Sequence, residues 1–304
     1  REFVVDSQGG IKYPIGMSGG RLEVETHIIT APNSYWQNIK KCVEQVGATV
    51  YDVIFSAWAS SLAVLTDTEK ELGVTLLDIG SGTTGIAIFQ EGSIVYSGCN
   101  PLGGSSITSD IAIGLQVSLE EAEKIKVNMN KLFDSKYDGS KPKEIKNIPT
   151  ILRKAEPEKP KKKKEEELDL NAIGIDKVVS KNMLEKIVGA RCEEIFQMAK
   201  ENISKAGYDI AMPAGVVLTG GTSLLRDITK FTQSLVGVAA RVGYPSGLTG
   251  MTEEISDPSY ACVQGLIKHA MDDEGEISTT GEKGKVDVKN FFCIIGEWFK
   301  SLLP

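Results

Sequence analysis

Two short glycine turns carry the residues best suited to chemistry in this chain. The first lies in LLDIGSGTTGIAIF, where an apolar run ends in Asp78 and Gly80, Ser81, Gly82 and Thr83 follow. Glycine lets a backbone approach phosphate oxygens closely, and successive turn N–H groups form an anion-binding nest. The hydroxyls of Ser81, Thr83 and Thr84 add donors, and Asp78 is placed to hold a magnesium ion directly or through water. The second turn lies in GVVLTGGTSLL, where Thr219 leads into Gly220, Gly221 and Thr222 and a helix is expected from near Ser223. Between the turns, Glu123 and Lys126 share a helix and have the groups to hydrogen-bond ribose hydroxyls. Each feature also has a plain reading, as a tight turn or a solvent-facing charge. Two such strand-to-turn elements in one chain, with a helical stretch between them, are the more specific signal.

Composition removes other chemistries. A net charge of −7 over 304 residues argues against general nucleic-acid binding, and the length suffices for a large core or two domains. The five cysteines (Cys42, Cys99, Cys192, Cys262, Cys293) are scattered without ligand spacing and read as reduced thiols. His27 and His269 are too few and too far apart to suggest a histidine-based site. No signal peptide or membrane-spanning run is visible in the sequence. The chain opens on Arg1 inside an apparent strand, REFVVD, and is expected to be a fragment missing an N-terminal part.

The far end carries a different kind of signal. KNFFCIIGEWFKSLL places Phe291, Phe292, Ile295, Trp298, Phe299 and Leu302, with Ile294 and Leu303, on one broad face of a helix. Asn290, Glu297, Lys300 and Ser301 fall largely on the other side. A polar, glycine-bearing stretch over 272–288 precedes it. Such a segment reads as a membrane-surface anchor, a partner-binding helix or a helix docked on its own domain. The aromatic content favours the headgroup boundary, and the run is shorter than the ~20 apolar residues a bilayer span needs.

The elements that must position these residues follow from periodicity and punctuation. Residues 21–30 alternate as a strand, and a helix capped by Asn33 or Ser34 runs to about Val46. VYDVIF from Val50 is a candidate buried strand, and WASSLAVL begins a small-residue helix. Residues 73–97 read as three strands joined by Ser81-Gly82 and Glu91-Gly92 turns. Helices follow at about 105–115 and from Ser118, where Glu121 completes a capping box. The run EPEKPKKKKEEELD is a solvated surface insertion, because its lysines are followed at once by glutamates. A long amphipathic helix spans 175–206; GVVLT, a short strand AARVGYP, and a helix from Pro258 to about Met271 complete the body. Alternating strands and helices indicate an α/β class.

Taken together, these motifs resemble the actin, Hsp70 and sugar-kinase ATPase superfamily. DIGSGTTGIAIF is similar to its second phosphate motif and VVLTGGTSLL to its adenosine motif. More closely, the chain resembles the bacterial FtsA cell-division family. GIKYPIGMSGGRLEVETHIITAP, SAWASSLAVLTDTEKELGVTLLDIGSGTTGIAIF, SSITSDIAIGLQVSLEEAEKIKV and GYPSGLTGMTEEISDPSYACVQGLI carry that likeness.

The resemblance implies an actin-like (ribonuclease H-like) ATPase fold, incomplete at the N-terminus. It assigns 1–30 to the end of subdomain 1C, 31–72 to 1A, 73–100 and 214–271 to 2A, and 101–213 to 2B. The Lys-rich insertion sits near 155–168, a flexible linker at 272–288 and the membrane helix at 289–304. It implies ATP with magnesium, held by Asp78, Gly80, Ser81, Gly82 and Thr83 at the phosphates, with Asp78 acting indirectly on the metal. Gly220, Gly221 and Thr222 serve the adenosine side, and Glu123 and Lys126 the ribose or base. It implies an adaptor with weak or no ATP hydrolysis, which polymerises with itself and tethers FtsZ filaments at the division site. The contacts are the FtsZ C-terminal peptide, near Arg191 in 2B, other divisome proteins, and lipid at the cytoplasmic face of the inner membrane. The family's first phosphate motif is not in this sequence, so the fragment is expected to bind ATP weakly. The competing classes are a pilus-assembly-type actin-like scaffold and an Hsp70- or sugar-kinase-type ATPase. Neither of the latter shows its substrate-side base or peptide-binding domain here.

Overall fold

The computed structural model describes residues 3–11, 13–133, 166–248 and 255–277. The apolar segment at 289–304 and residues 155–165 of the Lys-rich run lie outside the described residues.

The first element group is a small antiparallel sheet. Strand β1 (Phe3–Val5) pairs with β2 (Gln8–Ile11) on one side and β3 (Leu22–Val24) on the other. The Asp6 carboxylate ties this sheet together by accepting the N–H groups of Gly20 at 2.9 Å and Arg21 at 2.8 Å. Strand β3 is shorter than the alternation over 21–30 suggests. Helix α1 (Asn33–Gln45) begins after Pro32 without a side-chain cap, so neither Asn33 nor Ser34 caps it. Residues 51–55 do not form the expected strand, and Tyr51 is 92% exposed. A strand exists through its ladder, and this segment has no partner in any described sheet.

Helix α2 (Ser56–Val64) is built almost wholly of small residues, and Ala57, Ala59, Ser60, Ser61 and Ala63 are buried. Helix α3 (Asp67–Leu72) has a capping box in which Thr66 and Glu69 satisfy each other's orphan N–H groups. Three antiparallel strands follow: β4 (Val74–Ile79), β5 (Thr84–Gln90) and β6 (Ser93–Asn100). Helices α4 (Gly104–Leu115), α5 (Leu119–Val127) and α6 (Met129–Phe133) come next, with the expected Ser118–Glu121 capping box opening α5. Strands β7 (Glu167–Asp169) and β8 (Val178–Ser180) form a two-stranded ladder before α7 (Lys181–Lys205). The long helix therefore starts later than 175, because Ser180 caps it and the residues before it pair as a strand. Strand β9 (Val216–Thr219), α8 (Ile228–Val236), β10 (Ala240–Val242) and α9 (Ala261–Ile277) complete the described chain. Helix α9 continues past Met271 into the expected linker.

The central sheet has the order β10-β9-β4-β5-β6 and is mixed, with β9 parallel to both its neighbours. Strands β4 and β5 are buried on both faces, which is why they read as continuous apolar runs. Period-two alternation sorts their side chains. Leu77, Ile79, Ile86, Ile88, Val216 and Leu218 join the large core with α4, α5 and α7. Val74, Leu76, Ala87, Phe89 and Val217 face α2 in a second core. The small residues of α2 serve close approach: a Cβ on Gly265 of α9 would collide with the Ala59 carbonyl oxygen.

Candidate functional site

Both glycine turns leave the same end of the sheet. Strands β4 and β9 run parallel with Asp78 opposite Thr219, so the turns that follow them emerge side by side. Carboxyl ends of parallel strands are where open α/β sheets place ligands. The first turn closes when Gly80 N–H donates to the Thr83 carbonyl at 2.9 Å. Gly220 at the second turn has φ +81°, and a Cβ there would lie 2.6 Å from Asp78 Oδ1 and from the Ile79 carbonyl oxygen. Only glycine permits both that backbone and that approach.

The two turns are also bonded to each other. Thr222 Oγ1 donates to the Gly80 carbonyl oxygen at 2.9 Å, and Gly104 N–H donates to the same oxygen at 2.9 Å. Ser105 donates twice to the Ser81 carbonyl oxygen, from N–H at 2.7 Å and from Oγ at 2.8 Å. The helix expected at Ser223 does not begin there. A short 3-10 turn (Gly221–Leu224) intervenes and α8 opens only at Ile228, so α8 does not begin at this turn.

A cleft of about 900 Å³ opens beside the turns, lined by Ser81, Glu123, Lys126, Gly221 and Thr222 among others. That volume is within the range of small-molecule sites. Asp78, Gly80, Gly82, Thr83 and Gly220 lie outside its lining. Asn130, Arg226, Tyr244, Asp257 and Ser259 line it and were missed by sequence reasoning. One signal was available: Asp-Pro-Ser is a turn former, and Asp257 Oδ1 accepts the Ser259 N–H at 2.9 Å.

Glu123 and Lys126 meet as expected of an i,i+3 pair, at 2.7 Å. Lys126 Nζ also donates to the Gly104 carbonyl at 3.1 Å and to Thr108 Oγ1 at 2.9 Å. Burial alone would raise the Glu123 carboxyl, but hydrogen bonds from Lys126 and Thr108 and the lysine charge hold it below its ordinary value. The lysine side chain is 11% exposed and that of Glu123 48%, so the carboxylate is the more available partner for a ligand.

Asp78 lies on the α2 face of β4, where Ser60 Oγ donates to its Oδ2 at 2.8 Å. Burial pushes its carboxyl up, and the Ser60 bond only partly counters this. Burial likewise pushes the Cys99 and Cys262 thiols up, and the nearby Asp78 charge adds to both. Among the described residues no group of three or more His, Cys, Asp or Glu side chains is arranged to hold a metal. Magnesium on a nucleotide needs only one or two carboxylates with water and phosphate. Asp78 supplies one carboxylate at this end of the sheet, outside the cleft lining.

Arg191 is engaged elsewhere. Its guanidinium donates to both Asp110 oxygens, at 2.6 and 2.9 Å, and pairs with Glu194. This clamps α7 to α4. The expected membrane residues Phe291 to Leu302 lie outside the described residues.

The family model described as cell division protein FtsA matches residues 75–265, more than half of the chain. The chain belongs to the FtsA family. A second FtsA-related model, the SHS2 domain inserted in FtsA, matches residues 1–30. Among relatives, FtsA of Pseudomonas aeruginosa is 33% identical over 276 residues, 91% of this chain and 61% of that protein. FtsA of Borreliella burgdorferi is 33% identical over 98% of this chain and 68% of its own length. FtsA of Escherichia coli K12 is 31% identical over 99% and 67%. The chain spans 61–62% of the length of the Pseudomonas and Neisseria relatives. Among solved structures, MreB5 of Spiroplasma citri bound to ADP superposes with TM-score 0.55 at 18% identity, covering 82% of this chain and 68% of that one. The PilM–PilN pilus biogenesis complex gives 0.52 at 14% identity, over 77% and 57%. The fold is actin-like, as the sequence implied.

Proposed function

We propose that this FtsA-family chain is part of a cell-division adaptor, an ATP-binding actin-like protein that polymerises and tethers FtsZ filaments to the inner membrane. The observation that carries the reading is the FtsA family match over the span that holds both glycine turns. The cleft beside those turns supports nucleotide binding, and the likeness to MreB5 solved with ADP and with AMPPNP is consistent with it. In this reading the first turn holds the phosphates, Gly220 and Gly221 border the adenosine, and Glu123 faces the ribose or base. Asp78 would hold magnesium indirectly, through water. Magnesium neutralises phosphate charge when bound, and the chain's own groups orient the nucleotide.

The adaptor needs two further contacts. Subdomain 2B, residues 101–213, takes the FtsZ C-terminal peptide, and Arg191 orders that face through its clamp on Asp110. The apolar segment at 289–304 lies on the membrane. Sedimentation with liposomes tests the whole assignment. Purified FtsZ should pellet with liposomes of anionic lipid only when the chain is present, and a variant lacking residues 289–304 should not support it. FtsZ that pellets equally with and without the chain overturns the reading.

A further inference from the structure

We infer that Thr222 is a positioning residue for the phosphate end of the nucleotide, acting through the first turn, rather than a contact to adenosine. The inference rests on the nucleotide reading of the cleft. Thr222 is 6% exposed, and its Oγ1 lies 2.9 Å from the Gly80 carbonyl oxygen. A carbonyl has no proton to give, so the hydroxyl is the donor, and a hydroxyl has one proton. That proton is committed to the turn and is not available to a ribose or phosphate oxygen.

The consequence for the turn follows from peptide geometry. In a trans peptide the C=O and the following N–H point in opposite directions, and no described peptide bond is cis. Thr222 and Gly104 draw the Gly80 carbonyl to one side, which sends the Ser81 N–H to the other. Ser105 draws the Ser81 carbonyl the same way, which turns the Gly82 N–H outward. Neither N–H has an acceptor among the described residues. Two outward amides in succession make a nest suited to an anion, Ser81 lining the cleft and Gly82 lying outside its lining. The packing leaves no slack in this arrangement. A Cβ on Gly103 would lie 2.6 Å from the Ser81 carbonyl oxygen and 2.7 Å from that of Gly80, and one on Gly104 would collide with Thr222 Oγ1.

The two roles predict different ligand dependence. Equilibrium dialysis of the 304-residue chain would compare MgATP, MgADP, AMP and adenosine at up to millimolar concentration. Thr222→Val should weaken MgATP and MgADP about fivefold, the effect of one neutral hydrogen bond, and leave adenosine within about twofold. Thr222→Ser keeps the proton and should restore wild-type binding. Gly104→Ala, which displaces the hydroxyl from the other side, should reproduce the phosphate-dependent loss. A uniform loss across all four ligands, or none with Thr222→Val, overturns the inference while leaving the nucleotide reading standing. Wild-type protein that binds neither MgATP nor MgADP overturns the nucleotide reading and this inference together.

Discussion

Asp78 lies next to the end of strand β4 on the face that packs against α2, continuing the alternation of Val74 and Leu76. Its burial sets stability against the magnesium role proposed for it. Burial raises its folded-state pKa above the ordinary 3.8. A carboxyl with a raised pKa stabilises the fold below its unfolded value, and that contribution is lost as pH rises through the folded value. Burial of the ionised form therefore opposes folding as pH rises. Asp78→Asn keeps an oxygen for the Ser60 hydroxyl and removes the charge. We expect it to raise Tm at pH 7 by about 1–2 °C, the scale of one kcal/mol in a chain of this size. The gain should shrink as pH falls toward 4, and magnesium-dependent ATP binding should weaken. Calorimetric scans at both pH values check this, and a variant less stable than wild type at pH 7 contradicts it. Asp78 was legible in the sequence as a strand-end acid. Ser60 was not, because a serine in a small-residue helix gives no sign that its hydroxyl faces a carboxylate on a strand.

At the scale of elements, local rules read well and partner-dependent ones did not. The Ser118–Glu121 capping box and the β4–β5–β6 hairpins needed only neighbouring residues to be recognised. Thr66–Glu69 carries the same signature in TDTE and was passed over. The segment at 51–55 has a strand's composition but no ladder, and β8 is a strand only because β7 pairs with it. Glu69 shows how one residue joins two elements. Besides capping α3, it accepts both Arg241 Nε and Nη2 at 2.7 Å, which pins α3 to β10. Burial alone would raise its carboxyl, but the Arg241 and Thr66 hydrogen bonds and the arginine charge leave it lowered below 4.5. The sign is opposite to that of Asp78: this stability is present above the unfolded value and lost as pH falls through the folded one. Glu69→Ala should cost about 1–3 kcal/mol at pH 7, from a lost cap and lost charge-assisted bonds. Glu69→Gln, which can still cap, should cost less. Urea unfolding at pH 7 and near pH 3.5 tests the linkage. A gap between wild type and Glu69→Ala that does not narrow in acid excludes the ionised pair as its source.

For the whole molecule, the proposed function turns on how a weak anchor becomes sufficient. The apolar face of 289–304 gains at most about 1.5–3 kcal/mol per large side chain buried. Interfacial burial is partial, and ordering the segment costs about 1–2 kcal/mol per residue in backbone entropy. Lys283, Lys285, Lys289 and Lys300 add attraction to anionic lipid, offset in part by Glu282 and Glu297. In the proposed role, one tail is therefore expected to bind modestly and reversibly. Tails joined in a filament bind together, and linked sites gain on the order of a hundredfold or more without any new contact. Attachment should then depend steeply on assembly. Trp298→Glu places a charge in the apolar face and should release the protein from liposomes, whereas Ser301→Glu on the polar face should not. Because avidity multiplies each tail's loss, the Trp298→Glu defect should be larger under conditions that favour polymers than for dispersed protein. Co-sedimentation with anionic liposomes across a range of protein concentrations reads both effects. A Trp298→Glu variant that pellets like wild type throughout that range removes the tail as the anchor.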